Sequence, residues 1–229
     1  MSRTAVIVGS SGLVGGCCLE RLLHDPEYSR VILLVRRKAL VRHPKSDERI
    51  VNFDELASVE FEAGADVFCA LGTTIRKAGS QSEFRKVDLE YPLALAKRAH
   101  ELAAARFLVV SSVGANASSS NFYLRTKGEM EEAIRALPFR AIHIFRPSFL
   151  VGARREWRPG EAAGAAFAQT FRLLLLGPLR RYRPVAADTV AAAMLAAAVG
   201  PETGTHVHQY DEIRKLAAAM KVRRAAEAA

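Results

Sequence analysis

Cysteine is scarce in this chain, with three residues at positions 17, 18 and 69. The number is odd, the spacing matches no metal motif, and all three fall in apolar stretches. They read as reduced core thiols of a reducing compartment, not as a disulfide framework. CxxC and HExxH patterns are missing, so no metal is expected. Long hydrophobic runs are missing too. A bilayer span needs about eighteen or more apolar residues, and the densest run here, "FRLLLLGP", is far shorter. The opening "MSRTAVIVGSSG" enters a short apolar run at once, with no segment of signal-peptide length before it. The expectation is a soluble, cytoplasmic protein without a membrane span. Acidic charge is in deficit, and the net charge is +9. The arginines are spread as small pairs at 36–37, 154–155, 180–181 and 223–224, without interleaved aromatics or a nucleic-acid motif. That pattern fits a basic surface with one or two functional arginines and argues against a nucleic-acid partner.

What is present is a chain of 229 residues, half of them hydrophobic and 25% charged, enough to bury a substantial core. Short apolar runs alternate with longer helical ones. "TAVIVGS", "VILLVRR", "RIVNF", "DVFCALG", "RFLVVSS" and "RAIHIFRP" read as six strands. Helices are expected after the first of these, from about Asp88 to Ala105, and from near Tyr123. The stronger runs are continuous and β-branched, as in strands buried on both faces of a parallel sheet. The order predicts a doubly wound α/β fold with helices on both faces. After Leu150 the texture becomes a polar loop and then helical, with Asp211 placed to cap the last helix. Residues 1–229 read as one unit, with 151–229 as a small helical C-terminal cap over the strand ends, on the substrate side.

The stretch "VIVGSSGLVGG" follows the first strand and opens the first helix. Gly9 permits the tight turn, Gly12 lets backbone amides approach a pyrophosphate, and Gly15 lets helix and strand pack closely. The helix N-terminus adds unsatisfied N–H groups and the positive end of its dipole, and Ser10 and Ser11 can add hydroxyl donors. A bound dinucleotide is the expectation. At the end of the second strand, an NAD site carries Asp or Glu for the ribose 2′-hydroxyl. This chain has Arg36 and Arg37, which would grip a 2′-phosphate through charge-assisted, bidentate hydrogen bonds. NADP(H) is therefore favoured over NAD(H). "CALGTT" ends the fourth strand and would set Leu71, Gly72 and Thr73 beside the cofactor. Asp66 reads as the start of that strand, and Asp88 as the cap of the next helix.

The fifth strand ends in Ser111 and Ser112, where this fold opens its ligand crevice. Tyr123 and Lys127 follow at helical i and i+4, so phenol and ammonium share one face. A free phenol has a pKa near about 10, and a nearby ammonium lowers it. The chemistry that suits the set is hydride transfer from NADPH to a carbonyl. Tyr123 would protonate the oxygen, Ser111 or Ser112 would hydrogen-bond it, and Lys127 would tune the phenol and hold the nicotinamide ribose.

The series "GSSGLVG", "VRRK", "CALGTT", "VVSS", "YLRTK" and "FRPSFLVG" resembles the short-chain dehydrogenase/reductase superfamily. Within its atypical branch it is most similar to the Tat-interacting-protein-like oxidoreductases, over nearly the whole chain. The resemblance implies a Rossmann fold, NADPH binding and a Ser-Tyr-Lys centre. It implies cofactor contacts at Ser11, Gly12, Leu13, Val14, Arg36, Arg37, Leu71, Gly72, Tyr123 and Lys127, with Tyr123 as proton donor. Leu150, after "FRPSF", and Arg158, in "RPGE", would complete the cofactor pocket. The TGxxxGxG loop and the Asn-Ala-Gly motif of better-known branches are absent. Three functions stay open: an NADPH-dependent reductase of a small-molecule carbonyl, a sensor that binds NADPH and a protein partner without turnover, and an epimerase acting on sugar nucleotides. The third would hold NAD tightly, against which the arginine pair argues.

Overall fold

The computed structural model describes residues 2–39, 41–152 and 175–227. The strands are β1 (Arg3–Val8), β2 (Tyr28–Val35), β3 (Ser46–Ile50), β4 (Asp66–Cys69), β5 (Arg106–Val110), β6 (Ala141–Phe145), β7 (Leu150–Val151), β8 (Val185–Ala186) and β9 (Gly204–His208). The described helices are α1 (Leu13–His24), α2 (Ile75–Ala78), α3 (Gln81–Arg85), α4 (Tyr91–Glu101), α5 (Phe122–Arg135), α6 (Ala187–Val199) and α7 (Tyr210–Glu227). One sheet runs β3-β2-β1-β4-β5-β6-β9, with every neighbouring pair parallel. The order reverses at β1, between β2 and β4, which is where this architecture opens its ligand crevice.

The strand pattern explains the layering. Ala5 and Ile7 of β1 face one side, while Val6 and Val8 face the other, and all four have no exposed surface. Burying a valine or isoleucine in this way stabilises by about 1.5–3 kcal/mol each. Along Val31–Leu34, residues alternate between the two faces in the same way. On one face the core holds α1, α6 and α7, built from Leu19, Leu22, Val190, Met194 and Ile213. On the other it holds α4 and α5 and a 3-10 turn at Phe53–Ser58, through Leu95, Met130, Ile134 and Leu56. The expected doubly wound α/β fold is the one observed.

Four details differ from the sequence reading. A seventh strand, β9, joins β6. Its sequence "GTHVH" is short, exposed at one end and carries two histidines, so it lacks the apolar run that marks the others. The helical run before α4 starts earlier than Asp88. Ser80 accepts the Glu83 N–H at 3.1 Å and caps α3, and the chain continues through a π turn at Lys86–Glu90 into α4. The cap expected of Asp211 is absent. The helix begins one residue before it, Glu212 reaches back to the Gln209 N–H at 3.1 Å, and Asp211 pairs with Arg180 at 2.9 Å. Finally, the described C-terminal helices lie on a face of the sheet, α6 against α1 and α7 against α6. The polar loop and first helix expected after Leu150 fall largely in 153–174, outside the described residues, as does Arg158.

Candidate functional site

The glycine loop leaves β1 at Val8 and enters α1 at Leu13. Gly9 has φ +83° and turns back beneath β4, where a Cβ would lie 2.5 Å from the Ala70 carbonyl oxygen. The Gly12 N–H donates to the Gly9 carbonyl at 2.9 Å, closing the turn. At Gly15 a Cβ would stand 2.1 Å from the Gly9 oxygen, so α1 rests directly on the loop backbone. Gly12 is the N-cap of α1 and supplies no side-chain acceptor. The first amides of the helix therefore have no side chain capping them, which suits an anionic ligand. Ser10 and Val14 are buried, Leu13 is half-buried, and Ser11 and Gly12 are exposed.

Arg36 and Arg37 follow β2 and are exposed. The Arg36 guanidinium lies over the Phe53 ring, 5.5 Å from its centroid. That contact holds the head group by its face and leaves the N–H edges open. Leu150, in the short β7, pairs with Val185 of β8 and packs on the core beneath α1. Gly152 brings this segment against the Leu13 side chain, where a Cβ would be 3.6 Å from Leu13 Cδ2.

At the end of β4, Leu71 is buried, Gly72 is exposed and Thr73 is half-buried. The Thr73 N–H donates to Asp88 Oδ2 at 2.8 Å. Asp88 is no helix cap. It lies in the π turn, 1% exposed, and its Oδ1 is 2.7 Å from Lys127 Nζ. The Lys127 side chain is itself 4% exposed. Burial pulls the Lys127 ammonium toward its neutral form, but the Asp88 charge, with Tyr123 and Cys69 adding to it, outweighs burial and leaves its pKa above the usual lysine value. Asp66 starts β4 and takes part in a buried structural group at the opposite end of the sheet. It accepts from Tyr28 Oη at 2.8 Å and from Arg106 at 3.2 Å.

Tyr123 and Lys127 lie on α5, one turn apart. Asn121 caps the helix by accepting the Leu124 N–H at 3.1 Å. Tyr123 is half-buried, its ring 5.6 Å from that of Phe84. The two serines at the end of β5 part ways. Ser111 is buried, and its hydroxyl donates to Glu131 Oε1 at 2.5 Å. Ser112 is half-buried, and among the described residues its hydroxyl makes one long 3.3 Å contact, to the Val113 carbonyl. Glu131 also pairs with Arg146 at 2.5 Å and with Arg135 at 3.0 Å. Gly128 allows α5 to approach the loop, since a Cβ there would be 2.1 Å from the Ala117 nitrogen.

Asp88, Gly128, Glu131 and Arg146 are the residues that sequence reasoning missed. Glu131 had a readable signal, as an acidic residue four positions beyond Lys127 on the inward face of the same helix. Asp88 had none, because its partner is 39 positions away in sequence.

Fold and loop define a Rossmann architecture, with a Tyr-x-x-x-Lys helix whose lysine reaches the loop after β4 through Asp88. Protein HTATIP2 of Rattus norvegicus is 36% identical over 209 residues, covering 89% of this chain and 84% of that protein. Protein FMP52, mitochondrial, of Lodderomyces elongisporus is 33% identical over 167 residues, covering 68% and 70%. Among solved structures, a short-chain dehydrogenase/reductase superfamily protein from Agrobacterium tumefaciens with bound NAD superposes with a TM-score of 0.65 at 15% identity, over 91% of this chain and 78% of that one. No family model matches. The chain belongs to the atypical short-chain dehydrogenase/reductases, with HTATIP2 and FMP52 as its relatives. One expectation is overturned here. The FMP52 relatives, including those of Emericella nidulans and Candida albicans, are named as mitochondrial proteins, which points away from the cytoplasm. Among the described residues, no helix is long and apolar enough to cross a membrane.

Proposed function

We propose that the chain is an NADP(H)-dependent oxidoreductase that reduces a carbonyl, with Tyr123 as proton donor. One observation carries the reading. Lys127 is buried and charged on the same helix as Tyr123, beside the β4 loop that packs on the glycine turn. The turn fits a dinucleotide, because its carbonyls and amides occupy the space that side chains would fill and the α1 N-terminus has no side-chain cap. Gly9, Ser10, Ser11, Gly12, Leu13, Val14 and Gly15 would hold the pyrophosphate, Arg36 and Arg37 the 2′-phosphate, and Leu71, Gly72, Thr73, Leu150 and Arg158 the remainder. The nucleotide supplies hydride when bound. Tyr123 Oη gives its proton to the carbonyl oxygen, and the Lys127 ammonium favours the phenolate left behind. The substrate hydrogen bond falls to Ser112, because the Ser111 hydroxyl is committed to Glu131.

The test is NADPH oxidation against a panel of aldehydes and ketones. Tyr123→Phe is expected to lose roughly 100-fold or more in kcat/KM. Full activity in that variant would remove Tyr123 from the mechanism. A second reading, an NADPH sensor acting through a protein partner, draws on the carboxylate held against Lys127, which weakens the cation's pull on the phenol. It predicts NADPH-dependent partner binding that Tyr123→Phe leaves intact.

A further inference from the structure

The pair Asp88–Lys127 contains two groups that burial alone would neutralise. A carboxylate 1% exposed would hold its proton, and an ammonium 4% exposed would shed its own. The carboxylate, 2.7 Å away, keeps the ammonium charged. The carboxylate also makes a second connection, since Oδ2 accepts the Thr73 N–H at 2.8 Å. One side chain thus joins the loop after β4, the π turn before α4, and α5. The π turn itself is a rare feature, frequent at functional sites, that re-aims side chains within a helix. The other titratable groups facing the pair are Tyr123 on α5 and Cys69 on β4. Burial pushes the Cys69 thiol up to about 11, so it stays neutral and offers Lys127 no alternative partner at physiological pH.

We infer that Asp88 is the positioning residue of the Tyr123–Lys127 centre, fixing the ammonium against the β4 loop and holding it protonated. The inference rests on the proposed role of that centre but is tested first without turnover. Melting of the full chain is followed against pH for wild type, Asp88→Asn, Lys127→Met and the double variant. At pH 7, D88N leaves a buried cation unpaired and is expected to melt about 10 °C below wild type. Its deficit narrows as pH rises toward about 10, because the unpaired amine sheds its proton in the folded state. The double variant melts above D88N at pH 7. K127M leaves the buried Asp88 carboxylate without its cation and is expected to melt below wild type at pH 7.

In turnover, D88N moves the alkaline limb of the pH–rate profile to lower pH. A D88N deficit that is flat with pH, together with a double variant no more stable than D88N, would overturn the inference and leave Asp88 as a simple acceptor for Thr73. Should D88N fail to fold, folding of the double variant supports the inference, and a double variant that fails to fold while K127M folds refutes it. Should no carbonyl be reduced, the proposed reaction fails, and the melting comparison still decides the ion pair.

Discussion

Two adjacent glycines on α1 should respond oppositely to the same substitution. Alanine in place of glycine inside a helix ordinarily stabilises by about 0.5–1 kcal/mol. At Gly16 that gain is available, because the new Cβ would meet only the Ser10 carbonyl oxygen at 3.4 Å, an ordinary contact. At Gly15 the new Cβ would stand 2.1 Å from the Gly9 oxygen and 2.6 Å from its carbon. Both are backbone atoms of a turn locked by the Gly12 N–H bond, and neither can swing aside. Relief requires α1 to lift from β1 by roughly 1 Å, which opens the core beneath Cys18 and Leu22 and costs about 1–3 kcal/mol. The net expectation is Gly15→Ala destabilised by about 1–2 kcal/mol and Gly16→Ala neutral or slightly stabilised. In a chain of this size that separates the two melting temperatures by about 3–8 °C. Urea denaturation gives the free energies and differential scanning fluorimetry the temperatures. Gly15→Ala should also lose its NADPH-induced shift, because the amides move with the helix. If Gly15→Ala melts at or above wild type, the close approach of α1 to the loop is wrong, and with it the cradle.

The charge network around the buried Glu131 makes a second prediction. Glu131→Gln leaves Arg146 and Arg135, both partly exposed, without their anion and should cost about 1–3 kcal/mol in denaturant unfolding. Ser111→Ala removes one hydrogen bond, should cost about 1 kcal/mol, and should leave turnover nearly intact, whereas Ser112→Ala should lower it. A third prediction concerns acid. His143 stacks on His206 and His208, and its Nδ1 lies 3.0 Å from His208 Nε2. Burial, with the neighbouring histidines adding, holds His143 down to about 3 and His208 down to about 4. These folded values lie below the unfolded one, so the unfolded chain takes protons first. Stability should therefore fall as pH drops from about 6.5 toward 4. His143→Phe should flatten that slope relative to wild type in pH-dependent melts, and an unchanged slope would remove the histidine ladder from the acid limb.

The parts of the fold legible in the sequence are those where one residue type has one physical use. The run "TAVIV" can only be buried on both faces, and glycines at 9, 12 and 15 mark backbone approaches that the close contacts at Gly9 and Gly15 display. The i, i+4 spacing of Tyr123 and Lys127 needs only a helix to become a shared face. What was illegible depends on partners far apart in sequence. Asp88 looks like a helix start until Lys127 and Thr73 are placed around it. Ser111 and Ser112 are equivalent in a sequence and become distinct only when Glu131 arrives beneath one of them. Strand β9 forms because β6 offers an open edge, and "GTHVH" by itself carries too little apolar signal to announce it. Gly128 reads as a weak point in α5 until the loop backbone at Asn116 and Ala117 is seen to fill the space beside it.

In the proposed function the glycine turn and the Arg36–Arg37 pair bind NADP(H). The most direct test is the melting shift of the wild-type chain with NADPH and with NADH, each at the same concentration. A ligand present at a hundred times its Kd stabilises the folded state by about 2.7 kcal/mol, or roughly 5–11 °C here. A shift of that order is expected with NADPH and a clearly smaller one with NADH, with the difference abolished in the Arg36→Ala, Arg37→Ala double variant. Equal shifts with the two nucleotides would contradict the role of the arginines, and no shift with either would contradict dinucleotide binding at the glycine turn.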